Sequence, residues 1–260
     1  MMGERTRYAP GTFCWTDLTT TDQGAAKGFY ESLFGWEAED RPIGEGAYFS
    51  MMRRDGKDVA SIVPQPPMLR DAGAPPTWNS YVAVQSADAA AERAEELGAT
   101  LLAPPGDVGD SGRLSIVQDP QGAFFMVWQP GRHVGAALVN APGALCWNEL
   151  ATPDLEASTA FYSGLFGWTI TPLEASTEPY RLIRNGDANN GGIHELTPPG
   201  TPPNWLVYFG TEDLDDALDE VEKLGGTKIA GPIDIQVARI GIVQDPVGAV
   251  FALYAGELER

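Results

Sequence analysis

Apolar and polar positions along the chain switch between two periods. Residues Thr12–Thr19 alternate in the manner of a half-buried strand. Ala26, Tyr30 and Phe34 then recur at helical spacing, widened by Phe29 and Leu33, and mark one face of a helix. Asp22 stands where a carboxylate can accept from the free N–H groups of the first turn, and Gly35 supplies a left-handed end. Three strand-like runs follow, Trp36–Arg41, Ala47–Arg53 and Asp58–Pro64. The series then restarts with a strand at Asn79–Val84 and a helix from about Asp88 to Leu97-Gly98. Strands at Thr100–Ala103, Arg113–Val117 and Ala123–Gln129 complete it. The first half of the chain therefore reads βαβββ twice. The second half repeats this pattern, with helices near Asp154–Phe166 and Asp213–Leu224. Leu214, Ala217, Leu218, Val221 and Leu224 form the apolar face of the latter.

The repetition is visible in the residues themselves. Gly11–Trp36 and Gly143–Trp168 share 13 of 26 positions, including Cys14-Trp15 and Cys146-Trp147. Phe29–Trp36 and Phe161–Trp168 share the pattern Phe-Tyr-x-x-Leu-Phe-Gly-Trp. Later, Pro75-Pro76-x-Trp78 answers Pro202-Pro203-x-Trp205, and Ile116–Ala123 answers Ile242–Ala249 around Asp-Pro-x-Gly. This is duplication at domain scale. We place the first domain at 8–130, a linker at 131–141 and the second domain at 142–256. The seam falls around Pro130-Gly131-Arg132-His133, and His133 reads as a solvated loop residue.

Composition narrows the partners. The 260 residues carry 36 acids against 17 bases, a formal charge of −19. Such a field repels phosphate backbones and anionic membranes, so neither nucleic acid nor membrane is expected as a partner. No apolar run is long enough to span a bilayer, and the first ten residues lack a signal-peptide core, which points to the cytoplasm. Cys14 and Cys146 occupy equivalent places, so they are expected as separate, reduced, buried thiols. No P-loop, Cys-x-x-Cys or Gly-x-Ser-x-Gly is present.

Four βαβββ modules, with Phe-Tyr-x-x-Leu-Phe-Gly-Trp closing a first helix and Asp-Pro-x-Gly before a last strand, resemble vicinal oxygen chelate domains. That superfamily covers the glyoxalase, bleomycin-resistance and extradiol dioxygenase folds. The tandem layout is similar to a group of actinobacterial two-domain proteins of glyoxalase-like type, a mycobacterial antigen among them. The resemblance runs from about Tyr8 to Tyr254. It implies an α+β fold in which pairs of modules curve mixed sheets around cavities. The Phe-Tyr and Asp-Pro-x-Gly motifs are read as packing and turn features.

Metal-dependent members of this superfamily take His, Gln or Glu ligands from inward strand positions, where a divalent ion polarises the substrate's vicinal oxygens. Carried over residue by residue, those positions are Trp15 and Trp147, Asn79 and Leu206, and Met126 and Ala252. None forms the usual triad, so no metal or other cofactor is expected. His194 and Glu195, on the last strand of the third module, are the fallback ligands. Neighbouring strand residues point to opposite faces, so at most one of the two meets the cavity.

What lines the cavities instead follows from the same alternation. Trp15 and Asp17 share a face, as do Trp147 and Glu149. Asn79, Tyr81, Met126 and Trp128 join the first pair, and Tyr208 and Tyr254 the second. These residues are expected either to bind a flat organic ligand or to fill a core. Asp17 and Glu149 are the candidate catalytic bases, since a carboxylate in an apolar strand must be paired or shift its pKa. Arg113 and Arg239 are expected to pair with those carboxylates or to hold a ligand acid; Asp107 and Asp234 read as turn residues. The favoured function is a binding protein that sequesters or acts on a small aromatic or carbonyl metabolite or drug. The alternative is an enzyme of the superfamily, a lyase, isomerase or oxygenase, working through a relocated metal or through Asp17 and Glu149. A monomer with paired domains, or a homodimer, would serve either.

Overall fold

A computed structural model describes residues 3–44, 46–174, 179–197, 201–235 and 237–258. Among these residues sixteen strands form two eight-stranded mixed sheets. The first contains β1 (Phe13–Thr20), β2 (Glu37–Gly44), β3 (Ala47–Arg54), β4 (Lys57–Pro64), β5 (Thr77–Ala83), β6 (Thr100–Val108), β7 (Gly112–Gln118) and β8 (Phe124–Pro130). Their order is β2-β3-β4-β1-β5-β8-β7-β6, so two modules join side by side at the antiparallel β1–β5 pair. The second sheet repeats this with β9 (Leu145–Thr152), β10 (Thr169–Pro172), β11 (Tyr180–Asn185), β12 (Ala188–Glu195), β13 (Asn204–Gly210), β14 (Thr227–Ile235), β15 (Ala238–Gln244) and β16 (Val250–Gly256), in the order β10-β11-β12-β9-β13-β16-β15-β14.

Each module has one long helix: α1 (Gln23–Phe34), α3 (Ala87–Glu96), α4 (Leu155–Phe166) and α5 (Leu214–Lys223). The expected helix start holds, with the Asp22 carboxylate accepting from the Ala25 N–H at 2.9 Å. Asp154 repeats this on Ala157, and Gly35 and Gly167 close their helices at φ 65° and 72°. The pattern reading missed α2 (Pro67–Asp71), a single turn too short for a period to register. It also stopped β6 at Ala103, before Pro104-Pro105. The strand continues to Val108 because β6 is a sheet edge, where a missing N–H costs nothing. Asp107 and Asp234 consequently lie in strands, register partners of Arg113 and Arg239, and not in turns. Among the described residues no helix is long and apolar enough to cross a membrane.

The two sheets meet through their helix-bearing faces. One buried core joins α1 and the first module to β13, β16 and α5 through Phe29, Phe34, Phe209, Leu218 and Phe251. The other joins α3 and the second module to α4 and to β13 through Val82, Phe125, Phe161, Tyr162 and Trp205. The repeated motifs build this junction. Trp78 donates its indole N–H to the Tyr30 hydroxyl at 2.8 Å, and Tyr30 donates to Asp245 of the other half at 2.9 Å. Trp205, Tyr162 and Asp119 form the reciprocal relay at 2.9 and 2.7 Å. The second oxygen of each aspartate accepts three backbone N–H groups of its own Asp-Pro-x-Gly turn. Trp36 and Trp168 cross over in the same way, donating to the carbonyls of Gly143 and Gly11. Ser80 and Asn148 bond at 2.6 Å where the sheets back onto each other. Burial of these polar groups is compatible with stability because each finds a partner.

Candidate functional site

With one face of each sheet spent on the junction, the inner face remains. Strand alternation sends Trp15 and Asp17 of β1 to the first inner face, while Thr16 and Leu18 face the helices. Asn79, Tyr81, Met126 and Trp128 lie there too, since Asp17 pairs with Asn79, Trp15 with Tyr81, and Tyr81 with Met126. This first constellation is closed. Asp17 is 7% exposed, and Trp15, Tyr81, Met126 and Trp128 are no more than 8% exposed. Both Asp17 oxygens are used, one by the Asn79 amide at 2.7 Å and the other by the Tyr81 hydroxyl at 2.5 Å. Burial raises the Asp17 pKa, and those two hydrogen bonds offset part of the rise.

The linker completes the closure. His133 is not a solvated loop residue. Its ring stands edge-on to Trp15 with centroids 4.5 Å apart, and Trp128 donates its indole N–H to the His133 carbonyl at 2.9 Å. Burial lowers the His133 pKa, and its Nε2 is inaccessible and unpaired. The sequence could not reveal this, because a residue's place in a linker does not state what the linker folds over.

The second inner face is built on the same plan with different side chains. Trp147 and Glu149 replace Trp15 and Asp17, and both are partly exposed. Leu206 pairs with Glu149 and Tyr208 with Trp147 in register, while Tyr208 pairs with Ala252, and Tyr254 follows on β16. Tyr208 donates to Glu149 Oε1 at 2.7 Å. Burial and the Glu149 charge together hold the Tyr208 pKa well above the ordinary phenol range.

Three further residues converge on Glu149, and the sequence reading did not assemble them. Tyr180 of β11 hydrogen-bonds toward Glu149 and accepts the Trp147 indole N–H at 3.2 Å. Its ring crosses over Gly192, the register partner of Glu149, where an added Cβ would lie only 1.8 Å from the Tyr180 oxygen. His194, two residues along β12, shares that face and brings Nε2 to 3.6 Å from Glu149 Oε1. Glu195 points the other way and is exposed, so of the two fallback ligands only His194 meets this face, as strand alternation requires. In the first sheet, Ser61 stands where Gly192 does, opposite Asp17, and Val63 where His194 does. Of the three, the sequence reading singles out only His194; the glycine pair Gly191-Gly192 inside a strand pattern is the signal that could have pointed to Tyr180.

Arg113 and Arg239 take no part at either site. Both lie on the helix-bearing faces. Arg113 pairs with Asp88 and Asp107 at 2.8 and 2.9 Å, and Arg239 with Asp215 and Asp234 at 2.8 and 3.2 Å. The expected ion pairs with Asp17 and Glu149 fail because the arginines and the carboxylates occupy opposite faces of their sheets. Cys14 and Cys146 are free, and burial raises both thiols.

Chemically, the second face offers a carboxylate, two phenols and an imidazole in an aromatic wall. It does not match a divalent metal held as such ions usually are. The carried-over positions present an indole, an amide and a thioether in one sheet, and an indole and two aliphatic groups in the other. Among the described residues no three His, Cys, Asp or Glu side chains are grouped to hold an ion. Glu149 and His194 supply only two such donors. A separate cleft of about 330 Å³, lined by Val84, Ala90, Arg93 and Phe166 among others, opens between α3 and α4 on the helix-bearing side.

Comparison with known proteins places this geometry. The model of the Glyoxalase/Bleomycin resistance protein/Dioxygenase superfamily matches residues 12–127 and again 144–253. The chain is 44% identical over 255 residues to "Putative glyoxylase CFP32" of Mycobacterium tuberculosis, covering 97% of each. It is 35% identical to "Anthracycline biosynthesis protein DnrV" of Streptomyces peucetius, covering 95% of this chain and 94% of that protein. Among solved structures, the Mn(II)-bound glyoxalase from Novosphingobium aromaticivorans superposes with a TM-score of 0.67 at 17% identity, covering 96% of this chain and 83% of the other. An extradiol ring-cleaving dioxygenase from B. fuscum gives 0.67 at 18% identity, with 98% and 74% covered. Two matched domains, two matching folds and relatives aligned from end to end lead to one conclusion: the chain is a tandem member of the glyoxalase/bleomycin resistance protein/dioxygenase superfamily.

Proposed function

We propose that the protein binds a small, flat organic molecule of aromatic or carbonyl character on the inner face of the second sheet, with Glu149 as its polar anchor. The observation that carries this reading is the contrast between the two carboxylates. Asp17 is sealed, with both oxygens bonded and His133 packed against its wall. Glu149 remains partly open beside Trp147, Tyr180 and Tyr208. An apolar wall with a few convergent polar groups is what a small-molecule site requires. A relative named for anthracycline biosynthesis and one named as a glyoxylase are in keeping with an aromatic or carbonyl ligand. One chain suffices, because every residue named comes from the second sheet.

The test is a ligand screen read by tryptophan fluorescence and confirmed by calorimetry. Trp147→Ala and Glu149→Gln should abolish binding of any hit with the far-UV spectrum unchanged. Trp15→Ala and Asp17→Asn should leave affinity within about threefold, a difference below 1 kcal/mol. Binding that survives the first pair, or is lost with the second, removes the reading.

A catalytic version is favoured by one observation, the Tyr208 hydroxyl 2.7 Å from Glu149. A base with a phenol beside it can take a proton from a ligand and steady the oxyanion that forms. Turnover that persists in Glu149→Gln would eliminate that version and leave sequestration.

A further inference from the structure

The two copies bond their inner carboxylates in different ways. In the first, Asn79 is the register partner of Asp17, and its amide is held to Asp17 and Thr19 at 2.7 and 2.9 Å. A short side chain bonded twice at its tip is a fixed donor. In the second, Leu206 takes that position and offers no donor. The replacement comes from Tyr180, which starts β11 and reaches across β12 to Glu149. Its path is clear because Gly192 has no side chain to meet the phenol. The first copy lacks both parts. Ser61 stands in place of Gly192, and Phe49, two residues before Met51 as Tyr180 is before Leu182, has no hydroxyl. The two phenols on Glu149 are also unequal. Tyr208 is 2% exposed on β13, which is paired on both sides by β9 and β16. Tyr180 is half-buried at a strand end, and its bond from the Trp147 indole is a long 3.2 Å.

Building on the site proposed above, we infer that Tyr180 is its gate: the Tyr180 phenol occupies the place on Glu149 that the hydroxyl of a phenolic ligand takes. A change of χ1 to another staggered rotamer carries the ring off Gly192 without moving the strand. That frees one acceptor position on Glu149 and the trough above Gly192, while Tyr208 keeps its own bond at 2.7 Å. The vacated position faces a carboxylate, so it takes a hydrogen-bond donor. An aromatic hydroxyl reproduces what leaves: an O–H for Glu149, an oxygen that accepts from Trp147, and a flat ring beside the indole. Closed, Tyr180 spares the half-buried carboxylate a lost partner. The apparent affinity for a ligand is lowered by the share of chains in which the gate is shut.

Calorimetry on the full chain with two probes tests this: 4-hydroxyacetophenone, below its own pKa, and 4-methoxyacetophenone, which keeps the ring and carbonyl without the O–H. Tyr180→Phe retains the gate's ring and removes the competing hydroxyl. It should tighten 4-hydroxyacetophenone by about three- to tenfold, the scale of one hydrogen bond no longer displaced, and leave the methyl ether within about twofold. Gly192→Ala puts a methyl group into the same seat, so it should erase the preference for the hydroxyl probe. A merely structural Tyr180 predicts neither the gain nor its dependence on the probe's hydroxyl. The inference is overturned if Tyr180→Phe binds 4-hydroxyacetophenone no tighter than the parent or not at all, if both probes gain equally, or if the hydroxyl preference survives Gly192→Ala. Should Gly192→Ala fail to fold, the Tyr180→Phe comparison decides alone. With the gate overturned, the site stands if a hit from the ligand screen is lost in Trp147→Ala, and falls if none is.

Discussion

Replacing Tyr30 by Phe removes one oxygen and leaves two polar groups stranded. Tyr30 is fully buried, and its partners Trp78 and Asp245 are 2% and 3% exposed. The Trp78 indole N–H loses its acceptor and Asp245 Oδ2 loses its donor. Each unsatisfied buried group costs about 1–3 kcal/mol. Asp245 keeps three backbone N–H donors on its other oxygen, which holds its share toward the low end. We expect about 3 kcal/mol in total, or roughly 6–12 °C in Tm for a chain of this size. Urea unfolding followed by far-UV circular dichroism and by tryptophan fluorescence is the assay. Because the cores are shared between sheets, both probes should shift together in a single transition. Tyr162→Phe should cost a similar amount, and the double variant should be additive to about 0.5 kcal/mol, since the two relays share no partner. A cost below about 0.5 kcal/mol would refute the relay, judged against the usual effect of surface changes. Separate midpoints for the two halves would refute the shared core.

Other expectations concern pH and packing. Burial raises the Asp17 pKa, so its contribution to stability is full below the ordinary carboxylate value and is lost as pH rises. Asp17→Asn should therefore gain stability relative to the parent between about pH 4 and 7 in urea melts, and a flat difference would contradict the burial argument. Burial lowers the His133 pKa, so its share of stability is present above the ordinary imidazole value and declines as pH falls through the folded value. His133→Leu should flatten the acid-side loss, and an unchanged pH profile would show that the ring leaves Trp15 freely. Gly192→Ala should expel Tyr180 from Glu149 and change Trp147 emission, at about 1–3 kcal/mol of overpacking. Unaltered emission would place Tyr180 elsewhere.

Divergence between the copies gives the duplication a physical meaning. Both retain the Trp, Tyr, Asp and Gly of the junction, because each half supplies the donor or acceptor that the other buries. The inner faces are under no such mutual demand. There Val63 and Ser61 answer His194 and Gly192, and Met126 answers Ala252.

Much of the fold was legible from residues alone. Period, caps and the recurrence of Phe-Tyr-x-x-Leu-Phe-Gly-Trp marked the four long helices, most strands and the tandem plan, since these depend on local geometry and on which side of an element is apolar. Alternation also placed Trp15 with Asp17 and Trp147 with Glu149 on the inner faces. The sequence could not say that Tyr30 answers Asp245, 215 positions away, because a hydrogen bond across a domain junction leaves no local period. Nor could it send Arg113 to Asp88 instead of Asp17, fold His133 over the first cavity, or bring Tyr180 across Gly192 to Glu149. Each of these depends on how curved sheets and a linker meet in space, and only the tertiary structure decides that.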